Sequence, residues 1–346
     1  MQPTVLFVNH PQRACGVHQF GRQIFDVLAA SRRYRFVAAE IATVDELAAA
    51  RATARPDAMI VNWHPITFPA VPPAAFKATR LPIVALMHEI TDDMVRDPAG
   101  LPFEHCIDHD PSGCREHPRF VRSCRPLPVY ANRFAPPPIP TIGTFGFAGP
   151  TKGLEDLVRR VQEEFDECLI RMALPFNAFG DPDGTKSRAT ARNCRALLTK
   201  PGVRLEVSHE FRTIPRVLDF LARNSLNAFF YVEQQGRGIS SAIDLAIAAG
   251  RPVAVRRTSM FRHVAAAVPS ICVEERALRD ILAAGTAPLT PFRAAWTHDR
   301  IRADYEALLD EVLAESRTAP QLPAPQPQAP PRPARRRWWS RQRLTT

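Results

Sequence analysis

The sequence predicts an α/β protein made of two doubly wound parallel sheets in tandem. Three observations carry that expectation. Short apolar runs alternate with helical periodicities through residues 1–124, and a second series of the same kind begins at Thr141. Between them, Arg125 to Pro140 holds six prolines, which makes an extended, stiff linker of 125–140. The chain of 346 residues also exceeds the ~250–300 residues at which single cores stop growing.

In the first unit, Thr4 to Asn9 (TVLFVN) is a buried strand and His10 to Gly16 a loop. Val17, Phe20, Ile24, Val27 and Leu28 recur at helical spacing within Val17 to Ala30. Arg35 to Ile41 is the next strand and Val44 to Ala54 the next helix, followed by strands at Ala58 to Asn62 and Pro82 to His88. After Thr91 the pattern weakens, with short strands at His105 to His109 and Arg119 to Val121. Alternation of this kind builds a parallel sheet covered on both faces.

In the second unit, 141–315, strands are expected at Thr141 to Phe147, Cys168 to Ala173, Val203 to Val207, Asn227 to Val232 and Pro252 to Val255. Helices fall at Gly153 to Phe165, Thr185 to Leu198 and Ile214 to Asn224, and one long helix, Ala294 to Glu315, closes the folded part. The most informative stretch is Asn224 to Val255. Glu233 to Gly238 is a glycine-bearing loop after a strand, and Ser240 or Ser241 suits the N-cap of a helix from Ala242 to Ala249. Gly250 and Pro252 stop that helix. A loop at a strand's carboxyl end that feeds a helix N-terminus gathers free N–H groups and is a site for phosphate or diphosphate.

An acidic residue, a glycine loop and the small-residue run Ala246 to Val253 together resemble the donor-binding segment of retaining GT-B glycosyltransferases. The resemblance implies two Rossmann-like domains with a nucleotide-sugar donor held by the second. It assigns donor ribose to Glu233 and donor diphosphate to the loop of Gly236, Arg237, Gly238, Ser240 and Ser241. Gly149-Pro150-Thr151-Lys152-Gly153 resembles the family's lysine–glycine loop, so Gly149, Lys152 and Gly153 belong to the same donor site. His88, at a strand end, matches the histidine that faces the donor sugar, and Gly16 matches the glycine turn where donor and acceptor meet. His88 and Glu233 are the catalytic candidates. Two positions depart from the pattern. Leu245 stands where a second acid is expected, with Asp244 one place early and so turned about 100° around a helix. Pro150 stands where an arginine is usual, with Arg237 and Arg256 nearby.

The expected activity is transfer of a sugar from a nucleotide-diphosphate sugar to an acceptor hydroxyl with retention, in cell-surface polysaccharide or glycoconjugate synthesis, with no metal and no further cofactor. Two rivals keep the architecture: a non-catalytic relative that binds or adapts, and a nucleotide-sugar epimerase. His105, Cys106, His109, Cys114 and His117 cluster without matching a structural zinc spacing. No phosphate-binding G-x-x-x-x-G-K-[ST] and no G-x-S-x-G occurs. Met260 to His263 forms a polar-aromatic cluster with no evident role.

From Ser316 the composition turns to proline, glutamine and alanine and then to arginine with Trp338 and Trp339, as in a disordered tail, 316–346. The six arginines from Arg332 to Arg343 account for much of the net charge of +10, which falls to +4 without them. The body is therefore only mildly basic, and a nucleic-acid partner is not expected. Arg335 to Arg343 suits an anionic membrane surface, stacking on single-stranded nucleic acid, or simple solubility. No apolar run is long enough to span a bilayer and no export signal is visible. The seven cysteines are odd in number and scattered. The expected place is the cytoplasm, with contact at the inner membrane face as the tail's option.

Overall fold

The structure is a computed structural model that describes residues 2–90, 94, 96, 101–112, 119–178, 180–234 and 238–318. Gly236, Arg237, Cys114, His117 and the tail from 319 onward lie outside the described residues. The first unit contains β1 (Thr4–Asn9), α1 (Gly16–Leu28), β2 (Arg35–Glu40), α2 (Val44–Ala54), β3 (Ala58–Trp63), α3 (Pro73–Lys77), β4 (Ile83–Met87), β5 (His105–Asp108) and β6 (Phe120–Arg122). Its strands lie in the order β2-β1-β3-β4-β5-β6, all parallel. Every residue of β1 and β3 is buried, as a sheet covered on both faces requires.

The second unit contains β7 (Thr141–Phe145), α4 (Leu154–Glu164), β8 (Cys168–Ala173), α5 (Thr185–Ala196), β9 (Val203–Ser208), α6 (Ile214–Ala222), β10 (Leu226–Phe229), α7 (Ala242–Ala248) and β11 (Val253–Val255). Its strand order is β11-β10-β7-β8-β9, again all parallel. Then come α8 (Leu278–Ala284), α9 (Thr290–Ala295) and α10 (His298–Thr318). Residues 125–137 between the units form neither helix nor strand.

Three local expectations need correction. The closing helix is broken into α9 and α10. The buried Trp296 leaves helical geometry at φ −97° and ψ 79° and stacks on His263, and the Thr297 hydroxyl then caps α10 by accepting from Arg300 N at 3.2 Å. That helix continues to Thr318, past the point where the composition turns tail-like. Ser241 does not cap α7 with its side chain, being itself in helical geometry, and Ser240 Oγ accepts only a long 3.4 Å bond from Ala242 N.

Although α10 follows the second unit in sequence, it lies on the first. Ser31 Oγ donates to Glu306 Oε1 at 2.5 Å, Tyr34 OH to Asp310 Oδ1 at 2.6 Å, and Arg33 pairs with Asp310. Its apolar face joins one continuous core that includes Val5, Ile60 and Val84 of the first sheet and Leu245, Val253 and Phe261 of the second unit. The units are also stapled by charge. Arg125, in the linker, forms a two-pronged pair with Asp244 of α7, with Nε at 3.0 Å and Nη2 at 2.6 Å from Oδ2. Both side chains are almost fully buried, at 5% and 2% exposure. Asp244 thus has a structural partner, and burial pushes its carboxyl pKa up against the pull of Arg125. Among the described residues, no helix is long and apolar enough to cross a membrane.

Candidate active site

The carboxyl ends of both parallel sheets face one cleft, where an α/β sheet places ligands. Two neighbouring cavities of about 200 and 280 Å³ fill it. Both are lined by Gly16 at the start of α1, by Lys152, and by Ser240 and Ser241 ahead of α7. The second is lined also by His88 and Gly238. Six of the residues expected from the sequence are therefore brought together from four separate segments.

Local chemistry explains each placement. Pro150 to Lys152 forms one 3-10 turn, and Gly153 leaves it at φ +59° to start α4. A Cβ on Gly153 would lie 2.0 Å from Phe230 O, so glycine is required there for close packing as well as for the turn. Thr151 O accepts from Val232 N at 2.8 Å, which ties this loop to the chain leaving β10. Lys152 Nζ sits 3.6 Å from the ring centroid of Tyr231. Among the described residues no carboxylate pairs with it, so its charge is held over an aromatic face and open to an anion. Gly149 precedes the 3-10 turn but lines neither cavity.

Across the cleft, β4 ends at Met87 and delivers His88. Its Nε2 lies 2.6 Å from Asn62 Oδ1, an acceptor, so Nε2 carries the proton and Nδ1 is left to accept. Asn62 in turn donates to Asn9 Oδ1 and Val17 O, both at 2.9 Å, which locks the amide. Burial, with help from His64 and Arg125, keeps the imidazole pKa well below its ordinary value, so His88 is neutral at pH 7. Gly238 of the second unit presses on this strand end: a Cβ there would meet His88 O at 2.0 Å.

Glu233 is placed differently from the other candidates. It is exposed and lines neither cavity. Its carboxylate accepts from Ser259 N at 2.7 Å, from the Ser259 hydroxyl and from Gln234 N at 3.1 Å. The Ser259 bonds hold its pKa below the usual carboxylate range. Leu245, at the place of the missing acid, lines the first cavity. Arg256 donates to Asp156 Oδ2 at 3.1 Å and lies outside both cavities. The zinc-like cluster is dispersed among other partners: His105 with Glu315, the Cys106 thiol with Phe103 O, and His109 with Cys124 O and Tyr305 OH.

Several site residues carried no signal in the sequence. Arg262, inside the polar-aromatic cluster, donates through Nε to Asp110 Oδ2 at 2.6 Å and lines the second cavity. Asp108 and Asp110 reach the same cavity from the end of β5. Arg212 lines the first cavity with its Nη1 buried and unpartnered among the described residues. Phe145, Phe147, Phe211, Val217 and Phe220 make the rest of that wall largely apolar.

No protein-family model matches the chain, and no curated protein matches it by sequence. Solved structures do match its fold. The Anabaena protein HepE, solved with UDP and glucose, is 12% identical with a TM-score of 0.62, over 90% of this chain and 100% of its own. A sucrose-phosphate synthase from Thermosynechococcus elongatus is 11% identical with a TM-score of 0.60, over 91% and 100%. A trehalose-6-phosphate synthase is 8% identical with a TM-score of 0.59, over 89% and 98%. The chain has the two-sheet GT-B fold of these enzymes.

Proposed function

We propose that the protein is a glycosyltransferase that takes a nucleotide-diphosphate sugar as donor and an acceptor hydroxyl as its second substrate. The observation that carries this is Lys152 in the interdomain cleft, with no carboxylate partner among the described residues and facing the start of α1 and Ser240-Ser241. Lys152 supplies a full charge, and the first N–H groups of α1 add partial charge, where a leaving diphosphate gathers negative charge. His88, neutral and with Nδ1 free to accept, takes a bond from a sugar hydroxyl. Arg212 and the aromatic wall serve the nucleoside end. Ribose binding by Glu233 requires its carboxylate to leave Ser259. Positioning and electrostatic stabilisation supply most of the rate. Retention of anomeric configuration and independence of metal are part of this reading. The resemblance of the Glu233 to Val253 segment supports retention, and the Lys152 cation at the diphosphate position supports independence of metal.

The test is thermal unfolding of the full chain against UDP, GDP, ADP, CMP and dTDP, with UDP first because HepE holds it. Ligand at 100-fold over its dissociation constant adds ~2.7 kcal/mol, or roughly 5–11 °C for domains of this size. The Lys152→Ala variant is expected to lose the shift. No shift with any nucleotide counts against the donor site.

A second reading, a binding protein that has lost turnover, is favoured by one set of observations. Leu245 replaces an acid, Asp244 is committed to Arg125, and Glu233 to Ser259. Nucleotide binding without release of UDP from UDP-glucose selects it.

A further inference from the structure

We propose that the acceptor is a sugar with hydroxyl or amino groups and no anionic group beside the reacting hydroxyl, and that Asp108 sets this selectivity. The inference rests on the glycosyl-transfer reading and names the acceptor class for it. Parallel pairing puts Asp108, the last residue of β5, beside Met87, so Asp108 and His88 leave adjacent strands at the same sheet end. Both line the second cavity, of about 280 Å³, together with Lys152. The carboxylate therefore shares one chamber with the proposed diphosphate cation and the proposed sugar-binding imidazole.

An anionic acceptor needs a cation, and among the described residues each one that lines this chamber is already committed. Lys152 goes to the donor diphosphate. Arg125 donates through Nε and Nη2 to Asp244, and through Nη1 to His109 O at 3.1 Å. Arg262 donates through Nε to Asp110 Oδ2 and through Nη1 to Ser259 O at 2.7 Å, with Nη2 2.5 Å from the same Asp110 oxygen. The histidines add no spare charge. Burial keeps His88 and His109 well below the ordinary imidazole pKa, so both are neutral at pH 7. His64 accepts from Ile66 N through Nδ1 at 3.3 Å, so its proton sits on Nε2, 3.7 Å from Glu89 Oε1. Any positive charge gained there is matched by Glu89.

The carboxylates are not matched in the same way. Asp110 faces Arg262, and Glu89 faces His64. Asp108 Oδ1 accepts from Asp110 N at 3.1 Å, but its Oδ2 has no hydrogen-bond partner among the described residues. The residue is half-buried. Burial and the neighbouring Asp110 charge raise its pKa to about 6, against the pull of Arg125 and Arg262, so it is ionised at pH 7. With donor bound, the charge left facing an acceptor is negative. A carboxylate oxygen open to the chamber accepts from sugar hydroxyls and pairs with an ammonium, and it repels a phosphate or carboxylate. An unmatched charge of this kind acts mainly by rejecting the wrong partner.

The experiment loads the full chain with UDP, or with whichever diphosphate of the unfolding screen it binds, and follows sugar binding by ligand-observed NMR. The probes are glucose, galactose and mannose, each as the neutral sugar, the amino sugar and the uronate. At pH 7 a neutral or amino sugar is expected to bind roughly tenfold or more tighter than its uronate, as a nearby like charge requires. Asp108→Asn keeps an oxygen for Asp110 N and is expected to remove most of that ratio by strengthening uronate binding, with UDP affinity as the control for an intact donor site. Asp108→Glu restores the charge and should restore the ratio. A gain of anion binding separates this role from a structural one, because a damaged site loses its ligands together. A uronate that binds the wild type as tightly as its neutral form overturns the proposal. So does a ratio unchanged in Asp108→Asn, or the absence of binding by every neutral and amino sugar. If no diphosphate binds the wild type, the transfer reading itself fails, and the screen shows this before any sugar is added.

Discussion

On the wall of the cleft supplied by the second unit, the strand ends deliver Phe145, Ala173 and Tyr231, and the cations Lys152 and Arg212 stand over aromatic rings. On the facing wall, the same kind of parallel sheet delivers His64, His88, Asp108 and Asp110. Those polar groups are not isolated. His88 leans on Asn62 and Asn9, and His109 Nδ1 donates to Cys124 O while the Tyr305 hydroxyl of α10 donates to its Nε2. Arg125 links His109 O to Asp244 of the second unit. The difference teaches that one topology supports two kinds of wall. An apolar wall tolerates change at the cost of affinity, whereas a buried polar wall is part of the fold, because each partner removed leaves another group unsatisfied.

The largest expected effect tests that distinction directly. Arg125→Met leaves the Asp244 carboxylate buried without a partner and should cost about 3–5 kcal/mol of unfolding free energy. Arg262→Met in the cleft should cost less, on the order of 1–2 kcal/mol, because Ser112 still bonds Asp110. The two ion pairs differ in exposure, 5% for Arg125 against 21% for Arg262. Urea unfolding of both variants decides the matter, and equal losses break the comparison.

Gly238→Ala probes where the walls touch. Its new Cβ would lie 2.0 Å from His88 O, so the loop must retreat, at about 1–3 kcal/mol. A lower midpoint together with weaker UDP binding is the expected pair of results, and unchanged binding would detach this contact from the donor site.

The smallest effect is with pH. Burial holds His10 at about 4 and His109 at about 3, below the ~6.5 of an unfolded chain. Both are neutral when folded, so their stabilising contribution is complete above ~6.5 and is lost as pH falls toward those values. Between pH 7 and pH 6 the loss should be under about 1 kcal/mol for each. Stability that rises on acidification through this range would contradict a neutral, buried histidine wall.

Much of the fold was legible because the signals are local. Apolar runs mark β1 and β3, periodic residues mark α1, and six prolines mark the linker. Gly149 to Gly153 and His88 stood out in the same way, since turn residues and strand ends are read from a few neighbours. The corrections arose where distant contacts override local preference. Trp296 breaks an otherwise continuous helix because its ring packs on His263, thirty-three positions earlier. The bond from Ser259 N to the Glu233 carboxylate, 26 positions apart, is likewise a contact that no local pattern supplies.

By itself, then, the sequence determined two parallel α/β units, their order, and a lysine-bearing glycine loop at one strand end. Tertiary structure alone decided which charges meet. Arg125 finds Asp244 across 119 positions and Arg262 finds Asp110 across 152, and no composition or spacing encodes such pairs. It also decided that Asp108 shares a chamber with Lys152, since that depends on two sheets facing one another. Periodicity is a property of neighbouring residues, whereas a buried charge is stable only where the fold brings it a partner.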